Sequence, residues 1–202
     1  MAQPGKLDGD LKEFWVEHAA QMVRKGENLS AYERNRTYLN VRGKDFLDIS
    51  FLTGTDSDGD GRAVVAGDFR NTGQLDLIVR QVGGGAFLFF ENDFPKRNYL
   101  KVSFRGVNSN RLGVGARVTA TTKGLVQLRE NYPINSYQSQ AAKVVHFGLG
   151  GAAQVDKLEV LWPSGHKQVF KNIKTNQHIL VDESKKGPAA ISKVRPGVVS
   201  QP

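Results

Sequence analysis

The sequence predicts a mainly β protein with one N-terminal α-helix, organised as two β units in series. Two observations carry that class. One apolar stripe with helical spacing stands at the start of the chain. From Ala31 onward the chain breaks into short runs rich in β-branched and aromatic residues, separated by turns. The 202 residues include 22 glycines, which suits many tight turns.

The helix is expected over Asp10–Lys25. Asp10 and Glu13 form a D-x-x-E variant of the capping box, and Gly26 provides a stop. Leu11, Phe14, Trp15, His18, Ala19, Met22 and Val23 fall on one face, so the helix must cover something apolar. His18 reads as a packed histidine, because no second His or Cys stands at ligand spacing.

Strands follow in order. Arg36–Val41 and Asp45–Ser50 flank the turn Arg42–Gly43–Lys44, a hairpin signal. Arg62–Asp68 and Leu75–Gln81 form the next pair, and Ala86–Glu91 follows the turn Gly83–Gly85. Pro95 and Lys96 mark a boundary. Beyond it, strands are expected at Tyr99–Arg105, Ala116–Thr122, Val126–Asn131, Lys143–Gly148, Lys157–Leu161, Gln168–Ile173 and His178–Asp182. Their spacing is that of a sandwich or barrel. Trp162 anchors the turn Trp162–Gly165 with a large apolar ring.

Asp56, Asp58 and Asp60 sit two apart, with Gly61 after them. Alternate residues of a curled loop can aim carboxylates at one point, which suits the oxygen-rich shell of calcium. The same residues also suit a plain surface turn. An EF-hand would need an acid at the twelfth position, which is Gly67 here. A second acid pair, Asp68 and Asp76, encloses Arg70, Thr72 and Gly73. Arg70 brings its own positive charge, so calcium is expected to rely on Asp56–Asp60, helped by Asp68, more than on Asp76.

The loop Asn131–Gln140 carries Tyr132, Tyr137 and Gln140. Aromatic and amide groups there suit a sugar ring or a peptide surface; packing of Tyr137 beneath the loop is the alternative.

Composition narrows the function classes. Cysteine is absent, which excludes disulfides, thiolate metal sites and cysteine nucleophiles. The net charge is +8, but Lys and Arg are scattered and no RNA-binding aromatic signature accompanies them, so no specific nucleic acid is expected. No apolar run approaches the roughly 20 residues of a membrane span, and no secretory h-region is visible. The four histidines show no metal-protease spacing, and no G-x-S-x-G elbow occurs. His146 is expected to make a hydrogen bond inside the sandwich. The chain reads as non-catalytic.

Two stretches resemble known families. Asp68, Gly73 and Asp76 fit the loop D-x-D-x-D-G-x-x-D of the FG-GAP/VCBS repeat, a β-propeller blade element whose acids hold calcium; Arg70 and Thr72 replace its two middle acids. That resemblance spans roughly 33–92, with ERNRTYLNV and DFLDIS. NYLKVSFRG, NRLGVGARV, SYQSQ, HFGLG and VDKLEVLWPSG, in that order over 98–165, resemble the ASPIC/UnbV domain. This domain commonly ends FG-GAP/VCBS chains, including the cartilage acidic protein-like family.

Taken with the resemblance, the pattern divides the chain into a helical segment at 1–32, read from its capped apolar stripe, a single blade-like antiparallel sheet at 33–94, a β-sandwich-like domain at 95–183 and a flexible basic tail at 184–202, read from its composition. The resemblance further implies an extracytoplasmic location, periplasmic or secreted. The implied role is interaction, as a subunit or docking element of a larger protein assembly. The other reading is a carbohydrate-binding or adhesion module with a structural calcium site at Asp56, Asp58, Asp60, Asp68 and Asp76. One blade is not a propeller, since closed rings use about four to eight, so a partner or the rest of the chain must supply the missing surface.

Overall fold

Period-two alternation decides which side of each strand is buried. In Asn98–Arg105, Leu100, Val102 and Phe104 are buried while Lys101, Ser103 and Arg105 are more exposed, as alternate residues of a strand should be. The computed structural model describes residues 34–191, except Arg42, Asp60, 82–85, Pro133 and Asn135. The expected helix over Asp10–Lys25, with His18, lies outside the described residues, as does the chain beyond 191.

Described strands are β1 (Tyr38–Val41), β2 (Asp45–Asp48), β3 (Gly61–Gly67), β4 (Asp76–Gln81), β5 (Leu88–Phe90), β6 (Asn98–Arg105), β7 (Arg117–Thr122), β8 (Leu125–Glu130), β9 (Val145–Gly150), β10 (Gln154–Leu161), β11 (Lys167–Lys174), β12 (Gln177–Asp182) and β13 (Ala189–Ala190). One short helix, α1 (Ser50–Thr53), takes the end of the run expected as Asp45–Ser50. The fold is mainly β, as predicted, built of several antiparallel sheets without a closed barrel.

The chain divides into two compact units. Of the described residues, the first holds 34–64 together with Leu77–Phe90; the second holds Val65–Asp76 together with 91–191. The stretch 33–94 therefore contributes to both.

In the first unit, β1 and β2 pair antiparallel, Leu39 opposite Leu47 and Asn40 opposite Phe46. Gly43 closes the turn with φ +71°, a conformation that favours glycine, and its N–H bonds Asn40 Oδ1 at 2.6 Å. Hydroxyls anchor the base of this ribbon. Buried Ser50 Oγ accepts from Thr37 N–H at 2.7 Å, and Thr55 Oγ1 donates to Thr37 Oγ1 at 2.8 Å. A three-stranded sheet has the order β3-β4-β5.

The second unit is a sandwich of two four-stranded sheets. One has the order β11-β10-β7-β8 and the other β13-β12-β6-β9. The only parallel pairing described is β12 on β6, with Ile179 opposite Val102. Both sheets feed one apolar cluster that includes Leu100, Val102, Val118, Phe147, Leu158, Val160, Trp162 and Val181. Each such side chain contributes about 1.5–3 kcal/mol by leaving water. Phe104 meets Trp162 edge to face at 5.7 Å. Gly113, with φ +61°, lies against both, and a Cβ there would stand 2.6 Å from Phe104 Cβ.

The tail expected from Ser184 does not begin there. Ala189–Ala190 adds β13 to β12, and Ile191 N–H bonds His178 O at 2.7 Å. Two small residues gave no pattern to read; the free edge of β12 supplies the hydrogen bonds that order them.

Candidate functional site

The acid loop Asp68–Asp76 packs within the second unit. The Asp68 carboxylate accepts from Thr72 N–H at 2.7 Å and Gly73 N–H at 3.0 Å, curling the loop in the way Asp-rich turns do. Gly73 takes φ +86°, and any Cβ would collide with the Tyr99 ring. Lys101 Nζ lies 2.6 Å from Asp68 Oδ2.

Arg70 folds back on Asp76. Its Nη2 and Nε donate to Asp76 Oδ1 at 2.9 and 3.2 Å, and its Nη1 reaches Glu91 at 2.8 Å. Asp76 is fully buried and accepts a further bond from Asn92 N–H at 2.9 Å. Burial opposes its ionisation, yet the Arg70 and Asn92 hydrogen bonds hold its carboxyl below the ordinary value.

Three more polar residues join Lys101 on the outer face of its sheet. His146 and His178 are its cross-strand neighbours. His146 Nε2–H donates to Gly73 O at 2.8 Å, and its ring stacks on Tyr99 at 6.0 Å. His146 thus bonds the acid loop on the outer face of its sheet, while its neighbour Phe147 fills the core. His178 Nε2 lies 2.8 Å from Ser103 Oγ. Burial, with the Lys101 ammonium adding to it, pushes both imidazoles below their ordinary pKa.

These contacts test the loop against a calcium ion. A calcium shell needs free carboxylate oxygens, but the Asp68 carboxylate holds an ammonium and the Asp76 carboxylate a guanidinium. The donor set at 68–76 does not fit the metal; two side-chain cations balance its charge instead. Of the other expected ligands, Asp56 Oδ2 accepts from Arg34 Nη1 at 3.0 Å, Asp58 is in the first unit, and Asp60 lies outside the described residues. Among the described residues, no group of three or more His, Asp or Glu side chains could hold a metal ion.

Losing the guanidinium would leave Asp76 buried and charged. Arg70→Met is expected to destabilise the second unit by about 2 kcal/mol, the low end for truncating one partner of such a pair because water still reaches Arg70. Urea unfolding reads this. A loss below about 0.5 kcal/mol would mean that Asp76 is solvated without Arg70.

The three loop residues chosen as contacts are all exposed. Tyr132 and Tyr137 stand clear of the surface, as does Gln140, so Tyr137 does not pack beneath its loop. Ile134 is exposed beside them, and the preceding strand β8 exposes Leu125, Val126 and Leu128. In the first unit, Tyr38, Leu39, Phe46 and Leu47 are exposed along the β1–β2 ribbon, and Phe51 and Leu52 on α1 are 84% and 83% exposed. Sequence reading expected this hairpin but not that both of its faces are exposed, because its alternation looked like that of a half-buried sheet. It missed Lys101 because the partner Asp68 lies 33 residues away.

Residues 106–188 match the family described as ASPIC and UnbV, which supports an ASPIC/UnbV domain over this stretch. The match begins just after β6, which completes the same sandwich. No curated protein matches the chain. No described helix is long and apolar enough to cross a membrane.

Proposed function

We propose that the chain is a non-catalytic, extracytoplasmic interaction module that docks on a larger protein assembly through its β1–β2 ribbon and α1. One observation supports this above the others: the ribbon is exposed on both faces. Leu39, Val41 and Leu47 share one face, and Tyr38 and Phe46 the other. A two-stranded hairpin is marginal by itself in water, and a large exposed apolar patch marks an interaction surface. The hydroxyl anchor at Ser50 and Thr55 presents the ribbon without covering it.

The partner is a β-rich protein of net negative charge. The resemblance of 33–92 to an FG-GAP/VCBS blade without its ring supports a β-rich partner, and the chain's +8 charge favours an acidic surface. The ASPIC/UnbV domain supports an extracytoplasmic setting. A second reading, carbohydrate binding with a calcium site at Asp56–Asp60, is favoured by the exposed Tyr132 and Tyr137.

A photo-crosslinking residue at Phe46 in the full chain, expressed in its native source, tests the docking reading. The expected result is an adduct with an acidic, β-rich protein, lost when Leu47→Asp and Leu52→Asp are introduced and weakened by salt. If no adduct forms while a glycan array binds the protein through Tyr132 and Tyr137, the carbohydrate reading replaces it.

A further inference from the structure

The four-stranded sheet β11-β10-β7-β8 has two edges, and they are built differently. Edge strands invite pairing with other chains, and folded proteins guard them with lysines, bulges or brevity. The β11 edge is guarded. It carries Lys167, Lys171 and Lys174, and Asn172 turns left-handed at φ +55°, leaving a gap in the ladder with β10 at that residue. The β13 edge of the facing sheet is only two residues long. The β8 edge has none of these devices. Val126 and Leu128 are 60% and 54% exposed, and β8 contains no lysine or proline.

Among the described residues, no strand pairs with the outer edge of β8. Asn131 N–H bonds Ala116 O at 2.9 Å, and β7 and β8 stay in register from there. Antiparallel alternation then turns the N–H and C=O groups of Val126, Leu128 and Glu130 away from β7. Val126 and Leu128 project from the face opposite Gln127, which bonds Gly148 O at 2.9 Å.

We propose that β8 pairs antiparallel with β8 of a second copy, joining the two sheets into one of eight strands. Two arguments select a second copy. Arg129 and Glu130 cancel, so β8 meets itself without like-charge conflict. A twofold axis admits a register centred on Gln127, in which Val126 of one copy lies opposite Leu128 of the other, twice, on the same face. Apolar cross-strand pairs of that kind stabilise a sheet. An isologous contact of this sort closes at two copies.

The salt dependence separates this pairing from docking on an acidic partner. Two copies of charge +8 repel, so added salt should tighten the dimer, whereas salt weakens the docking complex. Sedimentation of the full chain over a concentration series, at low and high salt, reads both copies. The expected result is a concentration-dependent dimer, tighter at high salt. Leu128→Lys and Val126→Lys should each weaken it by about tenfold or more, and Val169→Lys, exposed on the guarded β11 edge, should leave it unchanged. Hydrogen exchange of the unaltered chain gives an independent readout. The amides of Val126, Leu128 and Glu130 should slow as concentration rises. A monomer at every concentration and salt would overturn the proposal. So would a dimer indifferent to the β8 substitutions, or one whose β8 amides exchange at the same rate throughout.

Discussion

Trp162→Ala is expected to destabilise the second unit by about 3–5 kcal/mol, the range for removing a buried tryptophan. The ring is 2% exposed and meets Phe104 edge to face. Its Nε1–H donates to Gln168 Oε1 at 2.7 Å. The same Gln168 amide donates from Nε2 to Asp182 O at 3.0 Å and Lys185 O at 2.8 Å, tying β11 to the end of β12. Removing the indole therefore opens a cavity and leaves a buried acceptor unpaired. Trp162→Phe keeps much of the volume and loses the hydrogen bond, so it should cost less, about 2 kcal/mol. Chemical denaturation measures both. A cost below about 1 kcal/mol for the alanine variant would mean that the ring is solvated and available to a ligand, which favours carbohydrate binding.

Glu183→Ala is expected to cost about 3 kcal/mol near neutral pH, and the parent protein should lose a similar amount as pH falls. Glu183 is 5% exposed. One carboxylate oxygen accepts from the N–H groups of Val107, Asn108 and Ser109 at 2.6, 2.8 and 2.9 Å. The other accepts from the hydroxyls of Ser109 and Ser164 at 2.9 and 2.6 Å. Burial works against the charged form, but these donors, Ser164 and Ser109 foremost, lower the carboxyl pKa to about 2. The folded pKa is thus below the ordinary 4.5 of the unfolded chain. The stabilisation is complete above that unfolded value and is lost as pH falls from it through about 2. A shift of this size corresponds to about 3 kcal/mol. Glu183→Gln should flatten that part of the pH–stability curve. An unchanged acid limb in the Gln variant would show that the carboxylate titrates normally.

Glu183 also shows where sequence reading stops. In sequence it is the last residue before a basic tail, with nothing to mark it. Its backbone donors lie on a loop 74–76 residues earlier. A carboxylate held by backbone N–H groups leaves no side-chain signature on the donor side. Trp162 was legible for the opposite reason: a large apolar ring at the end of an alternating strand has few stable places besides a core.

The strands and their inward faces followed from the amino-acid order alone, because a period of two is a local property that each segment carries with it. Val118, Leu158 and Phe170 are buried on the strands where alternation put them. The order of the five ASPIC/UnbV segments was equally local, and the family described as ASPIC and UnbV matches at 106–188. Only the tertiary structure decided which strands are edges. Nothing in LVQLRE or KQVFKNIK says that both lie at the margins of one sheet, the second guarded and the first open. It also decided the charge pairing of the acid loop. Arg70 already set the sequence reading against calcium at Asp68 and Asp76, but only the packing showed Lys101 on Asp68 and Arg70 folded onto Asp76. Coulomb attraction acts through space, so a carboxylate such as Asp68 takes its partner from a strand 33 residues away, while Asp76 takes its partner from its own loop.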